Sequence, residues 1–187
     1  MTALALLRHA DTAWSVEGRI QGRRDVPLLA GSSCSLPDAC RGMRVVTSPL
    51  ARCVQTAALI GAAGATKEPR IIEMDWGAWE GESLAALRER LGEEMRDNEA
   101  RGLDFMPPGG ESPRRVTERL KPWLQELARA GMPTLAVTHR GVIRAILAEA
   151  TGWDMRARPP AKLDWEAVHF FLLDRQGTPS VQRLNVR

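Results

Sequence analysis

The chain has 187 residues, 44% hydrophobic and 26% charged, the make-up of one globular domain over 1–187 and not of a low-complexity chain. Its 26 Lys and Arg against 23 Asp and Glu leave a net charge of +3 with no long basic run, which suits a small anionic ligand better than a nucleic-acid groove. No stretch nears the roughly 18 apolar residues of a membrane span, Met1–Leu7 is too short for a signal core, and three cysteines without paired spacing argue for a reducing cytoplasm and against a zinc site.

In chain order, Leu4–Leu7 form an apolar run that breaks into Arg8 and His9, the pattern of a buried strand reaching its end. Ligands of open α/β sheets bind outside the carboxyl ends of strands, so a cation followed by a nucleophile or base at such an end reads as an anion site. Residues 10–42 are rich in Gly, Ser and Pro and read mostly as loop, with a short helix at Pro37–Arg41. "MRVVTSPL" predicts a second strand ending near Thr47. Ser48-Pro49 then opens a helix with apolar Leu50, Val54, Ala57 and Ala58, stopped by Gly61 and Gly64, and Arg52 falls in its first turn.

"RIIEMDWGAWEG" reads as a short strand, with Glu73 at its exit, running into a Gly-bounded, Trp-rich turn. Helical material is expected from Ser83 to about Arg101. After the "PPGGESP" loop, Val116, Leu120, Trp123, Leu124 and Leu127 mark one face of a longer helix. "TLAVTHRGVIRAILAEATG" repeats the opening pattern: a strand over Thr134–Val137, then His139 and Arg140, then a helix over Gly141–Glu149. The tail reads as two strands about a Gln176-Gly177 turn at the sheet margin. Strands alternating with helices predict an α/β fold with three layers, α/β/α, in which a mostly parallel central sheet is flanked by helices.

Two strand ends thus carry His beside Arg. Taken alone, His9 is as readily a loop residue bonded to backbone as a catalytic one. With His139, Arg8 and Arg52 it supplies two imidazoles and two guanidinium groups to surround a phosphate, whose oxygens the planar arginine fork binds bidentately. The helix starts after Ser48-Pro49 and His139-Arg140 are expected to add backbone N–H donors. Glu73 is either a surface carboxylate or an acid/base group. His169, between Val168 and Phe170, reads as packing, as do the six tryptophans. "GAAGATK" lacks P-loop spacing and follows a helix where a strand is needed, and no His/Cys/carboxylate group has metal spacing.

Together these segments resemble the histidine phosphatase superfamily, in its phosphoglycerate mutase-like branch. "LLRHADT" is similar to that family's Arg-His-Gly-x-Thr/Ser signature, "GRIQG" to the element that follows, and "SPLARCVQTA" to its Ser-Pro-x-x-Arg-x-x-x-Thr helix start. "IIEMDWGAWEG" is similar to its acid-bearing turn, "PPGGES" to its pre-helix loop, and "VTHRGVIRAIL" to its second histidine motif. The resemblance implies that His9 is the nucleophile that becomes phosphohistidine, that Arg8, Arg52 and His139 hold the phosphoryl group, and that Glu73 donates a proton to the leaving oxygen. It also implies that Thr12, Ser15, Gln21 and Gly22 line the pocket. Arg140 is assigned a peripheral place there. No metal or cofactor is implied, and the partner is a small phosphorylated substrate, with no nucleic acid and no membrane.

Three departures stand out: Ala10 replaces the signature glycine, Ser15 stands where mutases carry asparagine, and Arg140 follows His139 where glycine is usual. The segment from Pro27 to Met43 is short and irregular for the family's first helix. The compact chain shows no recognisable counterpart of the inserted segments and extra basic residues by which mutases exclude water and clamp a carboxylate-bearing substrate. Hydrolysis of a phosphomonoester is therefore preferred over mutase-type transfer and over a non-catalytic phospholigand binder. Small bacterial phosphatases, α-ribazole phosphatase among them, share the "RIQG", "WGAWEG" and "PPGGES" elements. The apolar tail strands either close the sheet or pair with a second subunit as a homodimer.

Overall fold

A near-continuous apolar strand needs cover on both faces, and the two most buried strands, β1 (Thr2–Arg8) and β4 (Thr134–Thr138), lie side by side inside the sheet. The computed structural model describes residues 1–187. With β2 (Arg44–Thr47), β3 (Thr66–Lys67), β5 (Val168–Leu173) and β6 (Pro179–Val186), these strands form one six-stranded sheet of order β3-β2-β4-β1-β5-β6. The first four are parallel neighbours, whereas β5 and β6 run antiparallel, so the tail is the hairpin exception expected at the margin.

Register decides where chemistry can collect. Arg8 pairs with Thr138, and Thr47 pairs with Val137, so β1, β2 and β4 stop at the same level of one sheet edge. His9, Ser48 and His139 are the residues that step off those three strands.

Successive side chains along β1 point to opposite faces. Leu4 and Leu6 join a 19-residue core with Val116, Leu120 and Leu124 of α5 (Pro113–Ala130) and Ile143 and Ile146 of α6 (Arg140–Thr151). Ala5 and Leu7 join a 9-residue core with Cys53 and Ala57 of α2 (Ala51–Leu59). These are the two helical layers of the α/β/α arrangement. α3 (Leu84–Leu91) and α4 (Glu93–Ala100) form a smaller lobe, with Leu87 and Met95 packed on Ile20 and Trp79.

Several expectations need correction. "RII" is not a strand: Pro69–Ile71 form a 3-10 turn, and the short strand of this region is β3, just before it. Pro69 brings no N–H, and the Arg119 side chain donates to the carbonyls of Arg70, Ile72 and Glu73, so a guanidinium takes the acceptors a neighbouring strand would use. The helical material expected from Ser83 to about Arg101 is divided into two helices, because Gly92 (φ +54°) turns the chain in a conformation that disfavours other residues. A short α1 (Ala13–Val16) stands where loop was expected, held by a capping box between Thr12 and Ser15. The short helix expected near Pro37 is a 3-10 turn over Asp38–Cys40, and no longer helix occupies residues 28–42. No helix is long and apolar enough to cross a membrane.

Candidate active site

His9 leaves β1 with its backbone N–H bonded to the Thr138 carbonyl (2.9 Å), which ties two strand exits together. Its ring Nδ1 lies 2.7 Å from the Ala10 carbonyl. A carbonyl only accepts, so Nδ1 carries the proton and Nε2 keeps the lone pair. The Ala10 N–H donates in turn to Thr56 Oγ1 (2.9 Å), and the Thr56 hydroxyl donates to the Arg52 carbonyl (2.7 Å). The imidazole is therefore oriented from α2 as well as from β1. Burial first, then the Arg8 and Arg52 charges, hold His9 well below the usual imidazole pKa, so the ring is neutral at neutral pH.

His139 is fully buried, with Nε2 2.7 Å from Ser48 Oγ and its ring centroid 5.4 Å from that of His9. Burial, followed by Arg52 and His9, also keeps it well below the ordinary imidazole range. Arg52 is fully buried and donates to the carbonyls of Arg24 and Gly22, each at 2.7 Å. Arg8 Nη1 lies 3.6 Å from Asp11 Oδ1. Burial and then Arg140 lower the Arg8 pKa to about 10, which still leaves it cationic at neutral pH. The Nε–H groups of Arg8 and Arg52 are both buried without a protein acceptor. Leaving a buried donor unpaired is costly, so each of these groups favours an oxygen-rich anion within its reach.

Glu73 lies two residues beyond the Pro69–Ile71 turn, not at a strand end. Its Oε1 accepts from the N–H groups of Met74 (2.8 Å) and Gly141 (3.0 Å). Burial raises its proton affinity, opposed by the Met74 N–H and by Arg52, and the balance lies above the ordinary carboxyl value. Arg119, paired with Glu111 at 2.8 Å, clamps the backbone that carries Glu73. The Gly141 bond also changes one expectation. One N–H at the start of α6, that of Gly141, is spent on Glu73, and one at the start of α2 is spent on Asp25, since Ala51 N donates to Asp25 Oδ1 at 2.7 Å. Each of the two helix starts thus spends one of its several N–H groups on the protein's own carboxylate.

A cavity of about 580 Å³ opens at this edge, and Arg8, His9, Ser15, Gln21, Gly22, Glu73 and Arg140 all line it. Three of the other predicted residues stand behind the wall. Arg52 and His139 back the His9 side, and Thr12 is buried as the cap of α1, donating to Gln21 Oε1 (2.7 Å). His169 is buried in β5, away from the cavity, and accepts from the Asn185 N–H at 3.2 Å.

Sequence reasoning gave no role to Ser48, Thr56, Arg119, Arg144 or Arg156. Ser48 and Thr56 lie inside the quoted "SPLARCVQTA" segment and were recoverable from it. Arg119 sits among the polar residues of an amphipathic helix, where nothing local distinguishes it.

Residues 4–187 match the model of the histidine phosphatase superfamily (branch 1). Phosphoserine phosphatase 1 of Hydrogenobacter thermophilus is 30% identical over 168 residues, which cover 83% of this chain and 79% of the relative. A 2,3-bisphosphoglycerate-dependent phosphoglycerate mutase 2 of Gloeobacter violaceus is 31% identical over 165 residues, covering 80% of this chain and 75% of the relative. Among solved structures, TTHB049 of Thermus thermophilus aligns with a TM-score of 0.74 at 31% identity, over 100% of this chain and 99% of that one. A phosphoserine phosphatase variant of Entamoeba histolytica, in complex with phosphoserine, shares the fold at a TM-score of 0.78 and 22% identity, over 99% of this chain and 97% of that one.

Proposed function

The chain belongs to the histidine phosphatase superfamily, and from that premise we propose that it hydrolyses small phosphomonoesters without a metal, through a phosphohistidine on His9. The observation that carries this reading is the bond between His9 Nδ1 and the Ala10 carbonyl, which leaves Nε2 as a neutral nucleophile on a wall shared with Arg8 and Glu73. Nε2 attacks phosphorus as the ester P–O bond breaks, and the Glu73 carboxyl hands its proton to the departing oxygen. The positive charge that develops on the ring is stabilised at Nδ1–H by the Ala10 carbonyl. Arg8, Arg52 and His139 bear on the phosphoryl oxygens, where the two guanidinium cations match the charge of the transition state and the imidazole is a neutral hydrogen-bonding partner. Water then attacks the phosphohistidine, the ionised Glu73 takes its proton, the N–P bond breaks and inorganic phosphate leaves.

Release of phosphate from p-nitrophenyl phosphate is expected to persist in EDTA and to vanish in His9→Ala. Loss of activity in EDTA, or ligand binding without turnover across varied phosphoesters, overturns the proposal.

Relatives that are mutases make transfer the second reading. The same phosphohistidine would serve, and only the acceptor changes, from water to a substrate hydroxyl. Sustained exchange of 2- and 3-phosphoglycerate without free phosphate would select that reading.

A further inference from the structure

Six arginines and two glutamates line the cavity. Two of the arginines are neutralised by neighbours, since Arg19 is 2.7 Å from Glu17 and Arg88 is 2.7 Å from Glu99. Arg8 is given to the phosphoryl group. That leaves Arg140, Arg144 and Arg156, whose guanidinium groups meet no carboxylate within ion-pair distance and no hydrogen-bond acceptor. A phosphomonoester brings about two negative charges, which Arg8 and the buried Arg52 already face. Three further free cations lining the same cavity exceed what that group needs.

Their placement is organised. Arg140 and Arg144 are one turn apart on α6 and so share a face. Each lies over an indole, Arg140 at 5.0 Å from the Trp165 centroid and Arg144 at 5.2 Å from that of Trp153. Stacking holds a guanidinium plane while leaving its N–H edge free for an anion. Trp153 also donates from Nε1 to the Ala157 carbonyl (3.0 Å), closing the loop that carries Arg156. A second tie runs from the Leu103 N–H to the Asp154 carbonyl (3.0 Å). Between them Met155, another lining residue, is held at φ +62°, a conformation costly for a side chain of its kind.

We infer that Arg144 and Arg156, with Arg140 beside them, form a second anion subsite, so that the substrate is a small phosphomonoester bearing an additional carboxylate or phosphate. This deepens the hydrolase reading and rests on it. The apolar share of the wall, including Trp76, Leu84 and Phe105, gives the body of such a molecule a surface to lie against.

The test compares esters matched except for the second charge. Glycerol 3-phosphate and 3-phosphoglycerate differ by a hydroxymethyl against a carboxylate; fructose 6-phosphate and fructose 1,6-bisphosphate differ by a phosphate. kcat/KM by phosphate release is expected to favour the doubly anionic member of one pair by about tenfold or more, as an added charge-assisted hydrogen bond provides. The favoured pair tells carboxylate from phosphate. Arg144→Gln and Arg156→Gln are each expected to cut that advantage severalfold more than they reduce turnover of p-nitrophenyl phosphate. Calorimetric binding of the same pairs to His9→Ala answers the question independently of turnover. A tenfold preference in binding supports the subsite even where no phosphate is released and the hydrolase reading fails. Equal binding and equal kcat/KM within both pairs, or variants that weaken both members alike, overturn the subsite and leave hydrolysis of p-nitrophenyl phosphate standing.

Discussion

Glu73 is pulled in two directions: burial favours its protonated form, while the N–H groups of Met74 and Gly141 and the Arg52 charge favour the carboxylate. Burial prevails, so the carboxyl keeps its proton above the pH at which an exposed glutamate would lose it. If that proton goes to the leaving oxygen, Glu73→Gln lowers kcat/KM for an alkyl phosphate by about 10²–10³. The loss is smaller for p-nitrophenyl phosphate, whose phenolate departs unaided, and the fall in rate on the alkaline side, where Glu73 ionises, disappears. Equal losses on both esters, measured by phosphate release across pH, would mean that Glu73 acts only through its contacts. At this scale much is legible in the sequence. Arg8, His9, Arg52 and His139 are marked by residue type at strand ends and helix starts, and Glu73, which stands at neither, by its place in the order of segments along the chain. The choice of Nδ1 as the bonded nitrogen is not, because it depends on where the Ala10 carbonyl turns after the strand. Nor are the atoms that cap the two helix starts, because Asp25 and Glu73 are brought there by loops whose path no local pattern dictates.

At the scale of elements, the "WGAWEG" turn and the "PPGGES" loop are pressed together. Gly77 has φ +50°, and a Cβ there would fall 2.2 Å from the Pro108 carbonyl oxygen. Backbone against backbone has no soft end to yield. Gly77→Ala is therefore expected to cost about 2 kcal/mol or more in a urea titration. It should also depress turnover, because the same turn follows the Glu73 segment; an unchanged urea midpoint would refute the close approach. The two glycine-bearing segments are each readable as turns, but their mutual contact joins residues some thirty positions apart and leaves no trace in either one. The same distance effect explains the misread strand. "RII" has strand-like composition, but Pro69 before it and the remote Arg119 and Thr138, which take its carbonyls, leave it a 3-10 turn. Long apolar-faced elements such as α5, α6, β1 and β4 are legible because their period records burial directly.

For the whole molecule, all three histidines are held below their ordinary pKa in the folded state, chiefly by burial. As pH falls through the unfolded value of 6.5, the unfolded chain gains protons that the folded chain refuses, so folding stability declines with acidification. Each histidine contributes a slope of up to about 1.4 kcal/mol per pH unit. Glu73 acts with the opposite sign: between its unfolded value of 4.5 and its raised folded value, the folded chain holds the extra proton and gains stability as pH falls. Three groups oppose one. The urea midpoint is thus expected to be lower at pH 5.5 than at pH 7.5, and a flat profile would mean that these imidazoles take up charge freely inside the fold. Arg8, His9 and His139 hang from strand ends locked in register, whereas much of the opposite wall comes from the α3–α4 lobe and the loop after α6. Substitutions in those outer pieces leave the hydrogen-bonded strand ends undisturbed, so appetite for one ester over another is free to drift among descendants while the bond-breaking apparatus is inherited whole.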